Sequence, residues 1–151
     1  MPQTLLPVPH HKQQRDGDCL AACAAMTLDF LGLPLPYADL INLLRVKSFG
    51  APASNIRLLE QLSLTVSYQV TNMAGLEALL ASGQPVIVFV RTGDLPYWNY
   101  QTDHALVVVG FDEGYIFVND PYFAEAPIAV SRGDFELAWL ERDYFYAIIS
   151  R

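Results

Sequence analysis

The chain has 151 residues, of which 52% are hydrophobic and 17% are charged, and its formal net charge at pH 7 is −7. A chain of this length and composition can bury a sizeable core, so we exclude intrinsic disorder and expect one domain over residues 1–151. The negative charge disfavours nucleic acid as a partner, and no apolar stretch approaches the roughly 18 residues that a membrane-spanning helix needs.

The first part of the chain has the pattern of helices. A run of good helix formers from residue 19 to 31 is closed by Gly32 and Pro34, which predicts a helix that ends there. This helix is apolar nearly all round, so we expect it to be central. Two further helices are predicted over residues 37–46 and 53–62, where apolar residues share one face.

The second part of the chain has the pattern of strands. Strands are predicted over residues 64–69, 86–90, 104–111, 115–120, 127–130 and 144–149, with short helices over residues 74–82 and 134–140. Helices therefore gather early and strands gather late. This segregation indicates an α+β fold, with a helical N-terminal half packed on a mostly antiparallel C-terminal sheet.

The strongest strand signal is a hairpin with a three-residue turn at 112–114. In that register position 104 lies opposite position 122, which makes His104 and Asp120 diagonal neighbours on one face of the sheet. An Asp at this position can hold an imidazole ring. A shift of one residue would send the two side chains to opposite faces, and the run Asn-Asp-Pro at 119–121 is also typical of a simple turn.

Cys19 opens the predicted central helix, where the helix dipole and free backbone N–H groups favour a thiolate. Free cysteines are more often small core residues, which is the interpretation we give Cys23, one turn deeper in the helix. Two cysteines four residues apart are too few and too close for a disulfide framework. A metal site of Cys19, Cys23 and His10 or His11 remains an alternative, but its spacing is unlike zinc sites, and we expect no metal or other cofactor.

A thiolate nucleophile needs a base and a group that stabilises the oxyanion. His104 opens the strongest strand, which would hold its ring in place, although a lone histidine there is more often structural. The amide of Gln13, just before the cysteine helix, can point at a carbonyl oxygen beside Cys19. The order Gln, Cys, His and Asp along the chain is one that core packing has no reason to generate.

Two segments carry a resemblance to a known family. The segment QQRDGDCLAACAAM at residues 13–26 resembles the start of the bacteriocin-processing leader peptidases, papain-like cysteine peptidases that cut after double-glycine leaders. The apolar strand that begins at His104, followed by Gly, an acidic turn and a strand ending in Asn-Asp-Pro, resembles the family's second block. Phe135 and Trp139 resemble its closing helix, so the similarity spans nearly the whole chain from residue 13.

The resemblance implies a papain-like peptidase fold with Cys19, His104 and Asp120 as the triad and Gln13 as the oxyanion donor. The expected activity is hydrolysis of a peptide bond, in a peptide or protein with a small-residue cleavage site. Asp18 matches the acidic residue that precedes the family's cysteine, and we assign it to substrate binding. Tyr97 and Trp98, in an aromatic loop of the kind that often lines a cleft, are assigned to substrate binding as well.

Three points qualify this expectation. Leu20 stands where the family usually has Gly, and a bulkier side chain there is expected to narrow the cleft or alter the approach of the backbone to the substrate. The same triad also serves acyl-transfer or amidase enzymes, and the fold can serve as a non-catalytic peptide-binding or regulatory module.

We expect a stand-alone cytoplasmic domain, because the amino terminus lacks a secretory signal and the chain lacks the transporter domains. Nothing in the sequence indicates an oligomeric state.

Overall fold

The structure, a computed structural model, describes residues 3–151. Its helices and strands, in chain order, are β1 (Thr4–Leu5), α1 (Cys19–Phe30), α2 (Tyr37–Leu43), a 3-10 helix (Ala53–Leu62), β2 (Thr65–Val70), α3 (Met73–Ala81), β3 (Val86–Arg91), a short 3-10 helix (Thr92–Asp94), β4 (Asp103–Phe111), β5 (Tyr115–Asn119), β6 (Ile128–Ser131), α4 (Arg132–Leu140) and β7 (Phe145–Ser150). Most predicted elements are confirmed to within one or two residues. The third predicted helix is a 3-10 helix over its whole length.

The strands form one antiparallel sheet in the order β2-β7-β3-β4-β5-β6, and β1 pairs with the end of β4. Every described strand pair is antiparallel. The predicted α+β class, with early helices on a mostly antiparallel late sheet, is therefore confirmed. No helix among residues 3–151 is long and apolar enough to cross a membrane.

The sheet separates two hydrophobic cores. On one face, α1, α2 and the first 3-10 helix pack against alternate residues of β4, Ala105, Val107 and Val109. On the other face, α3 and α4 pack against Leu106 and Val108. Because side chains alternate along a strand, His104 belongs to the second face, where its cross-strand partner Val90 also lies.

Helix α1 is the centre of the first core. Its residues from Leu20 to Leu28 are all buried. The chain leaves the helix through Gly32, whose φ of 74° is a left-handed conformation that glycine adopts without strain. A helix buried on all sides needs no polar face, which accounts for its Ala-rich sequence.

The β4–β5 hairpin has the expected register at His104, but its turn and pairing differ from the predicted ones. The predicted three-residue turn is wrong, because Asp112 N donates to Tyr115 O and leaves only residues 113–114 in the loop. An irregularity between Val108 and Gly110 then shifts the pairing by one residue, and Val107 lies opposite Asn119. That offset is the one that places position 104 opposite position 122, so His104 and Asp120 share a face as predicted.

Candidate active site

The loop over residues 13–18 leads into α1 and is tied to two other parts of the fold. Gln13 N donates to Pro121 O at 2.7 Å, and Gln14 N donates to the Tyr37 hydroxyl at 3.1 Å. Cys19 follows as the first residue of α1 and is half-buried. Its thiol thus lies at the positive end of the helix dipole and stays accessible to a small molecule.

Asp18 supports this loop from inside the protein. Its side chain is fully buried and accepts hydrogen bonds from the Arg15 guanidinium at 3.0 Å and the Tyr37 hydroxyl at 2.8 Å. The backbone N–H of Arg15 also donates to it, at 3.2 Å. The carboxylate is enclosed by the loop that it holds, and the substrate contact predicted for Asp18 stays a prediction.

Cys19, His104 and Asp120 lie next to one another, with His104 in the middle. His104 Nε2 is 2.7 Å from Asp120 Oδ1, and the histidine is 5% exposed. Cys19 and His104 line the same cleft, and the interaction with His104 lowers the pKa of the Cys19 thiol. Since Nε2 faces the carboxylate, Nδ1 is the ring nitrogen left for the sulfur. The three side chains come from α1, β4 and the end of β5, so the series spans both faces of the sheet.

The two reacting groups have pKa values shifted in opposite directions. Burial would raise the pKa of the Cys19 thiol, but the hydrogen bond and charge of His104 outweigh it, and the pKa lies below its ordinary value. Burial would lower the pKa of His104, but its hydrogen bonds to Asp120 and Cys19 raise it to about 9. Both shifts favour a thiolate beside an imidazolium, the reactive form of a cysteine nucleophile.

Both oxygens of Asp120 are occupied by donors. Oδ1 accepts from His104 and from Tyr122 N at 3.0 Å, and Oδ2 accepts from the Tyr97 hydroxyl at 2.7 Å and from Trp98 Nε1 at 2.9 Å. Burial would raise the pKa of Asp120, but the hydrogen bond and charge of His104 lead the effects that lower it. The carboxylate is thereby held ionised, in one orientation, although it is fully buried.

Tyr97 and Trp98 both donate a hydrogen bond to the carboxylate of Asp120, a contact that the sequence did not predict. The Tyr97 hydroxyl donates to Asp120, and its predicted substrate contact stays a prediction. Trp98 also donates to Asp120, yet its ring packs on His104 at a centroid distance of 4.8 Å and lines a cleft. For Trp98 a substrate contact stays a prediction. The aromatic loop was a signal of the site, but spacing alone does not tell which side chains face inwards.

The amide of Gln13 is engaged with its own loop. Nε2 donates to Arg15 O at 2.9 Å and to Asp16 O at 3.0 Å, while the buried Oε1 has no hydrogen-bond partner within residues 3–151. Both amide hydrogens are therefore used by backbone carbonyls in this conformation. The predicted oxyanion contact stays a prediction, and it requires Nε2 to leave one of these carbonyls.

A cleft of about 380 Å³ opens over the Cys19 sulfur. Residues 49–53 line it together with Phe89, His104 and Arg142. Leu20 also borders the cleft, but it is only 2% exposed and packs into the first core. The expected narrowing by Leu20 is thus not observed, because the side chain is directed into the protein. The cleft has the size of a small-ligand or side-chain site and lies directly beside the Cys19 thiol.

The remaining cysteine and histidines lie apart from the series. Burial raises the pKa of Cys23 well above its ordinary value, which keeps it a neutral thiol in the core. His10 Nε2 contacts Phe123 O at 2.7 Å, and His11 Nε2 contacts Asp29 Oδ2 at 3.0 Å. Within residues 3–151 no three His, Cys, Asp or Glu side chains are grouped as metal ligands would be. The alternative metal site therefore receives no support from these positions.

Comparison with known proteins gives a family and a fold. The profile of the Peptidase_C39 like family matches residues 5–146. No curated protein is similar enough in sequence to count as a match.

Several solved structures are similar over nearly the whole chain. A candidate C39-like peptidase from Bacillus anthracis has a TM-score of 0.80 at 17% identity, with 98% of this chain and 97% of that one covered. A double glycine motif protease from an AMS/PCAT transporter, in complex with the leader peptide, has a TM-score of 0.75 at 20% identity, covering 98% and 94%. The peptidase domain of Streptococcus ComA, a bi-functional ABC transporter, has a TM-score of 0.76 at 19% identity, covering 97% of each chain.

Proposed function

The chain belongs to the Peptidase_C39 like family, and from this membership we propose that it is a cysteine peptidase that hydrolyses a peptide bond with Cys19, His104 and Asp120. The observation that carries the proposal is the position of His104, which shares a cleft with Cys19 and whose Nε2 lies 2.7 Å from the buried carboxylate of Asp120. Core packing does not require a thiol, an imidazole and a carboxylate to be joined in this order. Nucleophilic catalysis does.

In the proposed first step, the Cys19 thiolate attacks the carbonyl carbon of the scissile peptide bond and forms a tetrahedral intermediate. Its collapse breaks the C–N bond, and the His104 imidazolium gives its proton to the leaving amine. The acyl group then remains on Cys19 as a thioester. In the second step, neutral His104 takes a proton from water, the hydroxide attacks the thioester, and the carboxylic acid product leaves while the thiolate is restored.

Asp120 has two tasks in this scheme. Its Oδ1 keeps the imidazole ring turned with Nδ1 towards the sulfur, and its charge stabilises the imidazolium. The donors on Oδ2, Tyr97 and Trp98, keep the carboxylate itself from rotating. We infer that these two side chains are positioning residues, since they touch the carboxylate and do not reach the reacting atoms.

The oxyanion of the tetrahedral intermediate needs donors close to the sulfur. The first turn of α1 supplies backbone N–H groups that have no partner inside the helix. We propose Gln13 as the side-chain donor, after its amide turns from the carbonyls of Arg15 and Asp16 towards the bound carbonyl. Both donors lie on the loop and helix start that carry Cys19.

We propose a peptide with small residues at the cleavage site as the substrate. Support comes from the similar protease of the AMS/PCAT transporter, which is a double glycine motif protease and was solved with the leader peptide. Small residues leave the backbone of a peptide free to lie between the 49–53 segment and His104, close to the sulfur.

The proposal is tested by alkylating the native protein with iodoacetamide at about pH 6 and mapping the labelled peptides by mass spectrometry. An activated thiolate predicts fast labelling of Cys19, while the buried Cys23 serves as an internal control and stays unlabelled. His104→Ala should slow the reaction of Cys19 to that of an ordinary thiol. If Cys19 in the unmodified chain reacts no faster than a free thiol, the nucleophile assignment fails.

Hydrolysis is tested separately with quenched fluorescent peptides that contain a Gly-Gly pair. Cleavage that disappears in Cys19→Ala and persists in Cys23→Ala supports a peptidase. If Cys19 is activated but transfers the acyl group only to an added amine, the same triad serves acyl transfer. An activated Cys19 that turns over no peptide or amide at all contradicts the proposal that the chain is a peptidase.

A further inference from the structure

A second cleft adjoins the cleft over Cys19 and also borders His104. It has a volume of about 190 Å³, and we call it the aromatic cleft because its lining includes the side chains of Phe49, Trp98, Tyr100 and Tyr122, with Asp16 and Asp103 beside them. It shares Asp16, Phe49 and His104 with the larger cleft over Cys19. A peptide that presents its scissile bond to Cys19 therefore passes next to this cleft.

The rings of the aromatic cleft are held in place by one another and by the catalytic carboxylate. Trp98 lies 4.6 Å from Tyr122 and 5.2 Å from Tyr100 between ring centroids, and its indole nitrogen donates to Asp120. Phe49, by contrast, is 87% exposed at the cleft edge, the largest exposure among the exposed large hydrophobic side chains of the described residues. An aromatic ring in that position is available to a ligand and costs little to order on binding.

The charge at the cleft is negative. Asp16 is exposed and forms no ion pair with any basic side chain of residues 3–151. Asp103 is in contact with Arg91 at 3.4 Å and Arg142 at 3.9 Å, which balances its charge. Asp16 is thus the carboxylate at this cleft that lacks a cation.

Asp16 and Phe49 are brought together by a close backbone contact. Gly17 packs so tightly on the 47–50 loop that an added Cβ would lie 2.7 Å from Gly50 N and Ser48 O. The loop closes on itself through paired hydrogen bonds between Lys47 and Gly50. The Asp16 carboxylate and the exposed Phe49 ring therefore lie on two loops that pack tightly against each other. The cleft between them is thus present before a ligand binds.

We propose that the aromatic cleft binds the cationic side chain of a Lys or Arg residue of the substrate peptide, next to the scissile bond. Ring faces attract cations and Asp16 supplies the counter-charge, a combination suited to an ammonium or guanidinium group and unsuited to an acidic side chain. The net charge of −7 favours the approach of a basic peptide. This inference rests on the proposed function, because it assigns a specificity pocket to the same active site.

The test measures binding without turnover, in the Cys19→Ala variant. The probes are blocked pentapeptides Ala-Gly-Xaa-Gly-Ala in which Xaa is lysine, its neutral analogue norleucine, or glutamate. The small flanking residues allow Xaa to find the cleft in whichever register the peptide binds. Tryptophan fluorescence reports occupancy, because Trp98 lines the cleft while Trp139, the other tryptophan, is buried in the second core.

We expect the lysine peptide to bind about 5- to 10-fold more tightly than the norleucine peptide, and the glutamate peptide to bind most weakly. Adding Asp16→Asn should remove the counter-charge and bring the lysine peptide closer to the norleucine level, while leaving the norleucine peptide unchanged. The matched control is Glu113→Gln, which removes the same charge at the remote tip of the β4–β5 hairpin. Circular dichroism confirms that each variant is folded.

Three outcomes overturn the cation site: equal affinity for lysine and norleucine, equal loss of both on Asp16→Asn, or no fluorescence response to the lysine peptide at millimolar concentration. None of these depends on cleavage. A chain that fails to hydrolyse peptides but still prefers lysine through Asp16 keeps the cation site and loses the proposed function. A chain that hydrolyses peptides without this preference keeps the function and loses the site.

Discussion

The hydroxyl of Tyr97 donates a 2.7 Å hydrogen bond to Oδ2 of Asp120, the oxygen that faces away from His104. Tyr97 lines neither of the two clefts that flank the sulfur. Burial, together with the neighbouring carboxylate, raises the pKa of Tyr97, so the hydroxyl stays protonated and remains a donor at any pH at which the protein works. The orientation of the carboxylate thus depends on a side chain that lines neither cleft.

Replacing Tyr97 with Phe should lower kcat and leave KM unchanged. The variant keeps the ring and loses one donor to Asp120, so the carboxylate holds the imidazole less firmly, and we expect a loss of about 3- to 10-fold in kcat. Steady-state kinetics on a cleaved peptide measure the split. Tyr115→Phe, at the exposed start of β5, is the matched control and should have no effect. A rise in KM with unchanged kcat would instead mean that Tyr97 binds substrate.

The pH dependence of kcat/KM should be bell-shaped, with an alkaline limb near pH 9. Activity requires a thiolate and an imidazolium together, so it rises with pH through the lowered pKa of Cys19 and falls again as His104 loses its proton at about 9. Asp120→Asn removes the charge that supports the imidazolium. The alkaline limb should then move to lower pH, towards the ordinary histidine value of about 6.5, and the maximum should drop at least about tenfold. If the alkaline limb is unchanged in this variant, Asp120 does not raise the pKa of His104.

Removing the Asp18 carboxylate should destabilise the fold. Asp18→Ala leaves the Tyr37 hydroxyl and the N–H of Arg15 without their buried acceptor, and we expect a loss of about 1–3 kcal/mol in the free energy of unfolding. Tyr37→Phe removes only one of these donors and should cost less. Urea denaturation measures both variants. If Asp18→Ala is as stable as the unmodified chain but raises KM, the carboxylate contacts substrate after all.

Gly17 is expected to tolerate no side chain. A Cβ at this position meets backbone atoms of the 47–50 loop at 2.7 Å, so Gly17→Ala must displace that loop, and we expect a loss of about 1–3 kcal/mol in the free energy of unfolding. Gly133→Ala, in the first turn of α4 with open space around it, is the matched control and should be neutral or slightly stabilising. Equal stability of the two variants in urea denaturation would show that the loops are not fastened at Gly17.

Much of the fold follows from local patterns. The Ala-rich run after Cys19 is helical because small apolar residues suit a helix buried on all sides, and the β-branched run after Val86 forms the predicted strand. The pairing of His104 with Asp120 was also predictable. The way in which β4 and β5 reach this register was not predictable. The two-residue turn and the irregularity after Val108 each shift the pairing by one residue, in opposite directions, and neither leaves a clear pattern in the sequence.

The partners of polar side chains were less accessible to sequence reasoning. The family resemblance suggested a substrate contact for Asp18, and the aromatic loop suggested one for Tyr97. Their hydrogen-bond partners, Tyr37 and Asp120, are 19 and 23 residues away along the chain and are brought close only by the packing of separate elements. Long-range contacts of this kind depend on the whole fold, whereas propensity and periodicity report local structure.

The series from Cys19 to Asp120 crosses the sheet, since the thiol borders the first core and the histidine lies on the face of the second. Cys19 meets its base only after α1 has packed on one face and the aromatic loop has closed over Asp120 on the other. We therefore expect the alkylation rate of Cys19 to report whether both layers are in place.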